Sequence, residues 1–159
     1  PRLRQLGLRI LLEPGRFIVG NAGILVTRVE YVKRTGRKNF VIVDAAMNDL
    51  IRPAFYDSYH EIVPLERRPA RKCKSDVVGP ICESGDYFCK DRLLPAVGEG
   101  DCLALLSAGA YGFVMASNYN SRPMAAEVLV SGTRAALVRE RQPLHDLWEN
   151  ERVPVWLDR

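Results

Sequence analysis

Short apolar stretches separated by turn-forming residues dominate this chain. Two strand-like stretches, residues 24–31 and 40–43, flank the turn-like segment 35–39, and this arrangement predicts a β-hairpin. Further strands are predicted at residues 77–78, 101–106, 126–130 and 135–139. Short helices are predicted around residues 48–51, 111–117 and 143–150. With the basic segment 66–74 as a solvated loop, the pattern predicts a mainly β fold with short helices.

The first apolar run, residues 8–12, is continuous and does not alternate with polar positions. Such a strand is typical of a parallel sheet that is covered on both faces, and it requires neighbouring strands that this sequence does not supply. We therefore expect residues 1–22 to be the last strand of an α/β unit, and the turn after it, in a longer protein. Residues 23–159 are then expected to form a separate β-domain with helical excursions.

Composition and charge narrow the classes of protein only a little. With 159 residues, 47% of them hydrophobic, the chain can bury the core of one domain. The formal charge of +4 comes from dispersed arginine and lysine, which more often form a solvated face or bind small anions than a nucleic-acid surface. No apolar run reaches the ~18 residues that span a bilayer. We expect neither a nucleic-acid nor a membrane partner.

The cysteines and histidines do not follow a metal-binding pattern. No two cysteines have the spacing of a zinc site, and both histidines are distant from them in sequence, so no metal site is predicted. Without a secretory leader, we expect reduced thiols and a cytoplasmic protein. The four cysteines are Cys73, Cys82, Cys89 and Cys102, and the two histidines are His60 and His145.

The segment 79–86, Gly-Pro-Ile-Cys-Glu-Ser-Gly-Asp, sets a thiol beside a carboxylate in a loop bounded by glycine and proline. A structural cysteine in a strand would have apolar neighbours, whereas Cys82 precedes Glu83. This pairing indicates chemistry at the thiol. Taken alone, the segment is better explained as a loop that carries an inert cysteine, since most cysteines do no chemistry.

Three further motifs contain residues that could bind a ligand. Glu13-Pro14-Gly15-Arg16 follows the first predicted strand, where α/β folds place ligands, and Gly15 would allow an anion to approach while Arg16 binds it. A strand-ending turn with a surface arginine explains the same residues. Arg52 and Tyr56 are four apart and would share one helix face, although Tyr56 can equally be a packing residue.

The third of these motifs is Ala-Gly-Ala-Tyr-Gly, residues 108–112. Tyr111 lies between small residues, which suits close approach of a flat ligand, and a tight turn in the core explains the motif as well. No single motif decides between chemistry and structure, so their order along the chain carries the assignment.

In that order the motifs resemble the diaminopimelate decarboxylases over nearly the whole chain. The resemblance is carried by Glu13-Pro14-Gly15-Arg16 and by residues 43–53, 82–86 and 108–121. This family belongs to the pyridoxal-phosphate decarboxylases that join an alanine-racemase-like barrel to a β-domain. The resemblance implies a C-terminal β-sandwich or β-barrel domain over residues 23–159, preceded by the last strand of a truncated (β/α)8 barrel.

The resemblance also implies a role for each motif. Cys82 would donate the proton that replaces carbon dioxide, and the neighbouring carboxylate favours the neutral thiol that this step needs. The cofactor, pyridoxal 5'-phosphate, would contact Glu13, Pro14, Gly15, Arg16 and Tyr111. The substrate would contact Arg16, Arg52, Tyr56, Glu83 and Tyr111. In this family the cysteine loop reaches the site of a second subunit, which implies a homodimer with shared active sites.

The implied reaction is decarboxylation of meso-2,6-diaminopimelate to L-lysine. The family binds its cofactor through a lysine in the N-terminal part of the barrel, and no lysine of this chain lies in a matching motif, so the chain alone is expected to be inactive. Two alternatives remain open. One is a related decarboxylase that acts on ornithine, arginine or carboxynorspermidine, and the other is a noncatalytic β-domain that pairs with a decarboxylase subunit.

Overall fold

The computed structural model describes residue 5, residues 7–66 and residues 68–157, and it is mostly β. Its eight strands are β1 (Leu25–Arg34), β2 (Asn39–Val43), β3 (Ile62–Pro64), β4 (Lys72–Val78), β5 (Tyr87–Pro95), β6 (Cys102–Leu105), β7 (Glu127–Ser131) and β8 (Arg134–Arg139). Its two α-helices are α1 (Gly15–Val19) and α2 (Arg52–Tyr56). Within the described ranges, single 3₁₀ turns cover Gly20–Ala22, Phe113–Met115, Tyr119–Ser121, Leu144–Leu147 and Val155–Leu157.

Six strands form one sheet in the order β3-β6-β1-β2-β4-β5. The predicted hairpin is confirmed, because β1 and β2 pair antiparallel and Val29 lies opposite Val43. The pairing of β2 with β4 is parallel, and every other pair in this sheet is antiparallel. The sheet curls towards a barrel, so that β3 and β5, its two edge strands, line the same apolar interior. β7 and β8 form a separate hairpin.

The hydrophobic core lies inside the curled sheet. Thr27 and Val29 of β1 and Val41 and Val43 of β2 are buried, while their neighbours along each strand are more exposed, as expected for strands with one covered face. The apolar residues of the core are Val29, Val41, Val43, Ala45, Leu50, Ile62, Val77, Phe88, Cys89, Leu103 and Leu105. This core holds both ends of the loop that leads from β2 to α2, the element that carries Arg52.

Two strands were not predicted from the sequence. β3 is only three residues long, and β5 carries the charged residues Lys90, Asp91 and Arg92 in its middle. Asp91 has a positive φ of 52° at an irregularity in the pairing of β4 with β5, so hydrophobic alternation is lost there. The predicted loop 66–74 is wrong at its end, because β4 begins at Lys72. Its lysines point to solvent, so strand pairing does not require apolar side chains.

The predicted helices are shorter than expected or displaced. The prediction for residues 48–51 is wrong by one turn, because residues 47–49 form a turn, residues 50–51 have no regular secondary structure, and α2 begins at Arg52. Pro53 in the first turn of α2 accounts for this start, since proline lacks the N–H that a helix interior needs. The helices predicted at residues 111–117 and 143–150 are reduced to the 3₁₀ turns Phe113–Met115 and Leu144–Leu147.

Residues 7–14 have no regular secondary structure, and Leu8, Leu11 and Leu12 are each more than 70% exposed. A barrel strand needs hydrogen-bonding neighbours, and the described residues supply none here. The last barrel strand, and the domain boundary between residues 22 and 23, therefore stay predictions. Among the described residues, none of the helices has the length and apolar character needed to cross a membrane.

Candidate active site

Arg52 is buried on α2 and lies against Tyr111. The guanidinium carbon is 5.6 Å from the centre of the Tyr111 ring, within cation–π range, and Arg52 is only 9% exposed. Its Nη1 atom is buried without a hydrogen-bond partner among the described residues. Buried polar atoms are nearly always paired in folded proteins. A buried guanidinium with a donor to spare can bind an anionic group such as a carboxylate.

The backbone at Tyr111 has an unusual conformation, and the residue that follows it is constrained to be glycine. Tyr111 has a positive φ of 58°, which a non-glycine residue rarely adopts. The following residue must be glycine, because a Cβ at Gly112 would lie 2.3 Å from the carbonyl oxygen of Ala108. The segment 108–112 is therefore a tight turn that directs the Tyr111 ring towards Arg52. This geometry agrees with both sequence interpretations of the motif, the turn and the close approach.

A crossing of two glycines joins the Tyr111 turn to α1. A Cβ on Gly23 would lie 2.6 Å from Cα of Gly109, and the amide of Gly109 donates to the carbonyl of Gly20 at 3.0 Å. A Cβ at Gly20 would lie 3.4 Å from Cγ of Arg16 and 4.0 Å from Cβ of Ala110. Both Arg16 and Ala110, the residue that precedes Tyr111, are thus neighbours of Gly20, while Arg16 itself is exposed.

The other predicted ligand-binding residues of these two segments lie on the surface. Glu13, Pro14 and Gly15 are exposed, and the Gly15 amide donates to the Glu13 carbonyl at 2.9 Å as α1 begins. Tyr56 is 57% exposed and packs edge to face on Phe55, with the ring centres 4.7 Å apart. No described contact links these four residues to Arg52 through a side chain.

Asp86 closes the Cys82 loop, which we define as residues 79–86. Its Oδ2 accepts from the amide of Ile81 and its Oδ1 from the amide of Met47, both at 2.7 Å, and the residue is only 4% exposed. Burial raises the pKa of Asp86, and the two amide donors act in the opposite direction. A Cβ at Gly79 would lie 2.3 Å from Oδ2 of Asp86, so the loop needs glycine at that position. The sequence interpretation gave Asp86 no role.

Cys82 and Glu83 are both exposed at the tip of this loop. Cys82 is a free thiol. The Oε1 atom of Glu83 accepts from the amide of Gly85 at 3.1 Å, and the hydroxyl of Tyr119 donates to Oε2 at 3.5 Å. The thiol thus faces solvent, while the adjacent carboxylate is held by its own loop and lies near Tyr119, another residue that the sequence interpretation did not assign.

Arg122 joins the segment after Tyr111 to the loop before α2. Its Nε donates to Oδ1 of Asn48 at 2.9 Å, and Nη2 donates to the carbonyl of Asp44. The amide of Ser117 donates to the carbonyl of Asn48 at 2.9 Å. Met47, which precedes Asn48, donates its amide to Asp86. The loop between β2 and α2 therefore contacts both the Cys82 loop and the segment 117–122. Nothing in the sequence distinguishes Arg122 from the other arginines, and only its contacts in the structure reveal its role.

The predicted site residues thus form two groups that share a framework. Arg52 and Tyr111 form one group, Cys82 and Glu83 form the other, and Arg16 lies exposed on α1 with no described side-chain hydrogen bond or ion pair to either. Among the described residues, no hydrogen bond or ion pair joins the second group to the first. The described residues also contain no cluster of three or more His, Cys, Asp or Glu side chains that could hold a metal ion.

Replacing Asp86 with asparagine is expected to destabilise the complete gene product by about 2 kcal/mol. The amide would turn an N–H towards one of the two backbone donors, so one buried donor would lose its partner. Denaturant unfolding measures the effect, and Asp57→Asn at an exposed aspartate is the control that should change little. Equal stability of the two variants would contradict this role of Asp86.

His60 is buried, 1% exposed, and its Nδ1 lies 2.9 Å from the carbonyl oxygen of Leu106. Burial lowers the pKa of His60 below its ordinary 6.5, the Leu106 carbonyl raises it, and the positive charges of Arg52, Arg16 and Arg92 lower it further. The folded protein therefore holds this imidazole neutral at a pH where the unfolded chain takes up a proton.

The free energy of unfolding is accordingly expected to fall as the pH decreases below about 6.5, because the unfolded chain then binds a proton that the folded state binds only at lower pH. Denaturant unfolding of the complete gene product between about pH 5 and pH 8 would show this slope. His60→Asn should reduce the slope, whereas His145→Asn, at the exposed histidine, should not. An unchanged slope in His60→Asn would contradict the prediction.

Comparison with known proteins identifies the class to which this arrangement belongs. Residues 16–109 match the family described as the pyridoxal-dependent decarboxylase, C-terminal sheet domain, and the chain belongs to that family. The match covers α1 from Arg16 onwards, Arg52, the Cys82 loop and the strands of the curled sheet.

Particular relatives are diaminopimelate decarboxylases. The chain is 54% identical over 140 residues to that of Aquifex aeolicus, covering 88% of this chain and 33% of the relative. It is 56% identical over 144 residues to that of Neisseria meningitidis serogroup B, covering 91% and 34%. The crystal structure of the Helicobacter pylori diaminopimelate decarboxylase complexed with L-lysine superposes with a TM-score of 0.81 at 46% identity, covering 94% and 36%. The chain thus spans about a third of the length of these relatives.

Proposed function

We propose that this chain is the C-terminal part of a pyridoxal-phosphate-dependent diaminopimelate decarboxylase, which converts meso-2,6-diaminopimelate to L-lysine and carbon dioxide. The observation that carries the proposal is the buried Arg52, which lies beneath the Tyr111 ring. Its Nη1 donor has no partner among the described residues. Such a group suits the carboxylate of an amino acid. The identity of 54% to the Aquifex aeolicus diaminopimelate decarboxylase supports this choice of substrate.

The residues present fit the cofactor. Pyridoxal phosphate combines a flat ring with an anionic phosphate, and the chain offers the aromatic ring of Tyr111 beside the guanidinium of Arg52, with the exposed Arg16 on α1 as a second cation. Glu13, Pro14, Gly15, Arg16 and Tyr111 would line the bound cofactor. When bound, the cofactor supplies an electron-accepting ring that lets an amino acid lose carbon dioxide.

The substrate has an amino-acid group at both ends, so its distal end needs cations for a carboxylate and an anion for an ammonium group. In this proposal Arg52, with Arg16 and Tyr56, binds the distal carboxylate, because a planar guanidinium matches a carboxylate in two hydrogen bonds. Glu83 binds the distal ammonium group. The Tyr119 hydroxyl, 3.5 Å from Oε2 of Glu83, would restrict where that carboxylate points.

Cys82 would donate the proton that replaces carbon dioxide on the reacting carbon. The Sγ atom is at the tip of a loop that Asp86 closes with two short hydrogen bonds of 2.7 Å. A positioned donor is worth more than a mobile one, because proton transfer requires hydrogen-bond reach in the transition state. The fixed loop therefore suits a thiol that must meet a substrate held by other elements.

A homodimer with shared active sites is part of the proposal. Cys82 and Glu83 are exposed and make no described contact with Arg52 or Tyr111 of the same chain. A loop that projects in this way can complete the site of a second copy, so that one subunit supplies the carboxylate-binding group and its partner supplies the thiol.

The proposal also places residues 1–22 as the remnant of a (β/α)8 barrel and residues 23–159 as the β-domain. The relatives are about three times as long as this chain, and the apolar side chains of Leu8, Leu12 and Phe17 are at least 72% exposed. The lysine that binds the cofactor would lie in the barrel, so residues 1–159 alone would be inactive. The four free thiols suit a reducing compartment, and we place the enzyme in the cytoplasm.

The complete gene product tests this proposal. Its mass after borohydride reduction should exceed 17.9 kDa and include one pyridoxyl group per chain, since borohydride fixes a lysine-bound cofactor. It should release carbon dioxide from meso-diaminopimelate far faster than from ornithine or arginine. Preference for ornithine or arginine would favour the related decarboxylases, and a mass near 17.9 kDa without the adduct would favour a noncatalytic partner subunit.

A further inference from the structure

His60 is a buried polar residue that the proposed chemistry does not use. Only 1% of the residue is exposed, yet its Nε2 atom has no hydrogen-bond partner among the described residues. Nδ1 lies 2.9 Å from the carbonyl oxygen of Leu106, and a carbonyl can only accept, so Nδ1 carries the proton. Burying an imidazole costs free energy that an aliphatic side chain would not. Its presence therefore needs a reason beyond filling space.

The contacts around His60 connect the two elements that carry Arg52 and Tyr111. On one side, α2 ends with the amide of Ser58 donating to the carbonyl of Arg52 at 3.3 Å, and His60 follows two residues later. On the other side, Leu106 lies five residues before Tyr111. The imidazole joins these two sides directly, because its Nδ1 hydrogen bond spans 46 residues of sequence.

The remaining contacts hold the backbone of His60 in place. The amide of Leu106 donates to the carbonyl of Glu61 at 2.8 Å, which extends the pairing of β3 with β6. Nη1 of Arg92, from β5, donates to the carbonyl of His60 at 2.5 Å. A ring of contacts thus runs from Arg52 through Ser58, His60 and Leu106 to Tyr111, and the Tyr111 ring closes it on the guanidinium of Arg52.

We propose that His60 is a positioning residue for substrate binding: its Nδ1–H···O=C bond to Leu106 holds Tyr111 against Arg52 and thereby fixes the guanidinium that binds the distal carboxylate. This inference rests on the proposed function. The imidazole touches neither cofactor nor substrate in this arrangement. His60 acts by fixing the distance between α2 and the segment 106–111. The site requires the hydrogen bond to Leu106, and it does not require the imidazole ring as such.

Two substitutions separate the hydrogen bond from the ring. Asparagine places an amide N–H close to where Nδ1–H lies, so His60→Asn keeps the donor to Leu106 and loses the ring. Leucine fills much of the same volume and has no donor, so His60→Leu loses the hydrogen bond. His145→Asn is the matched control, because His145 is exposed and far from Arg52 in the chain.

The experiment measures the affinity of the complete gene product for L-lysine and for cadaverine by calorimetry, together with kcat and KM for meso-diaminopimelate. Decarboxylation at one end of the substrate leaves the other end intact, so lysine keeps the carboxylate that Arg52 would bind, whereas cadaverine has none. We expect His60→Leu to weaken lysine binding and raise KM by about tenfold, with kcat and cadaverine binding changed by less than about threefold. His60→Asn and His145→Asn should stay within about threefold of wild type in every measurement.

Three results would overturn the inference. They are unchanged lysine binding in His60→Leu, an equal loss of cadaverine binding in that variant, which indicates a general loss of structure, and a folded His60→Asn that binds lysine as weakly as His60→Leu. If His60→Leu does not fold, the affinity of His60→Asn decides. A wild-type protein that binds lysine without releasing carbon dioxide from meso-diaminopimelate would end the proposed function and leave the lysine measurements to decide the role of His60.

Discussion

Replacing Cys82 with alanine in the complete enzyme is expected to lower kcat for lysine formation by about 10²- to 10⁴-fold while KM changes little. The reason is that the thiol would act on the reacting carbon and not on the distal end of the substrate. Alanine removes the proton donor and adds no bulk to the loop. The hydrogen bonds from Met47 and Ile81 to Asp86 do not involve the thiol, so the loop should stay closed. Steady-state assay of lysine formation from meso-diaminopimelate checks the prediction.

Cys102→Ala is the control for this substitution. Cys102 is likewise an exposed free cysteine, but it lies on β6, away from the Cys82 loop, so kcat should stay within about twofold of wild type. A Cys82→Ala enzyme with nearly wild-type kcat would mean that another group donates the proton. An equal loss of kcat in both variants would indicate misfolding, not the loss of a specific proton donor.

Arg52→Met is expected to raise KM for meso-diaminopimelate by about 100-fold or more, with a smaller effect on kcat. Methionine keeps much of the volume against Tyr111, but it has no charge and no donor for the distal carboxylate. Because the guanidinium is buried, the lost interaction is not replaced by water, which explains the size of the effect. Affinity for L-lysine should fall in parallel, and affinity for cadaverine should not.

Arg37→Met is the matched control, because Arg37 is an exposed arginine in the turn between β1 and β2. It should leave KM within about twofold of wild type, since exposed charges contribute little. If Arg52→Met raised KM by less than about threefold, the distal carboxylate would have to bind elsewhere, with Arg16 as the next residue to change.

Much of the sheet was predictable from local pattern. The hairpin of β1 and β2, β6, and the hairpin of β7 and β8 follow from apolar alternation and turn residues that lie next to each other in sequence. β5 was missed because Asp91, with its positive φ, interrupts the alternation, and α2 was misplaced because the start of a five-residue helix depends on one residue, Pro53. Short elements carry too few residues for a periodic signal.

The candidate site divides in the same way. Cys82, Glu83, Arg52 and Tyr111 stood out because each belongs to a short motif with unusual neighbours in sequence. The residues that hold them did not, because their partners are far away along the chain. Asp86 binds Met47 across 39 residues, Tyr119 reaches Glu83 across 36, Arg122 reaches Asn48 across 74, and His60 reaches Leu106 across 46.

The sequence by itself therefore determined the class of fold, the family and the candidate residues of the site, since these depend on local pattern and on motifs a few residues long. Only the tertiary structure decided how those residues are held: Arg52 is buried under Tyr111 with a donor that has no partner among the described residues, and the Cys82 loop is closed by Asp86 and bound to Met47. The physical reason is that burial and hydrogen bonding depend on distances between atoms, and chain folding sets those distances between residues that no sequence motif relates.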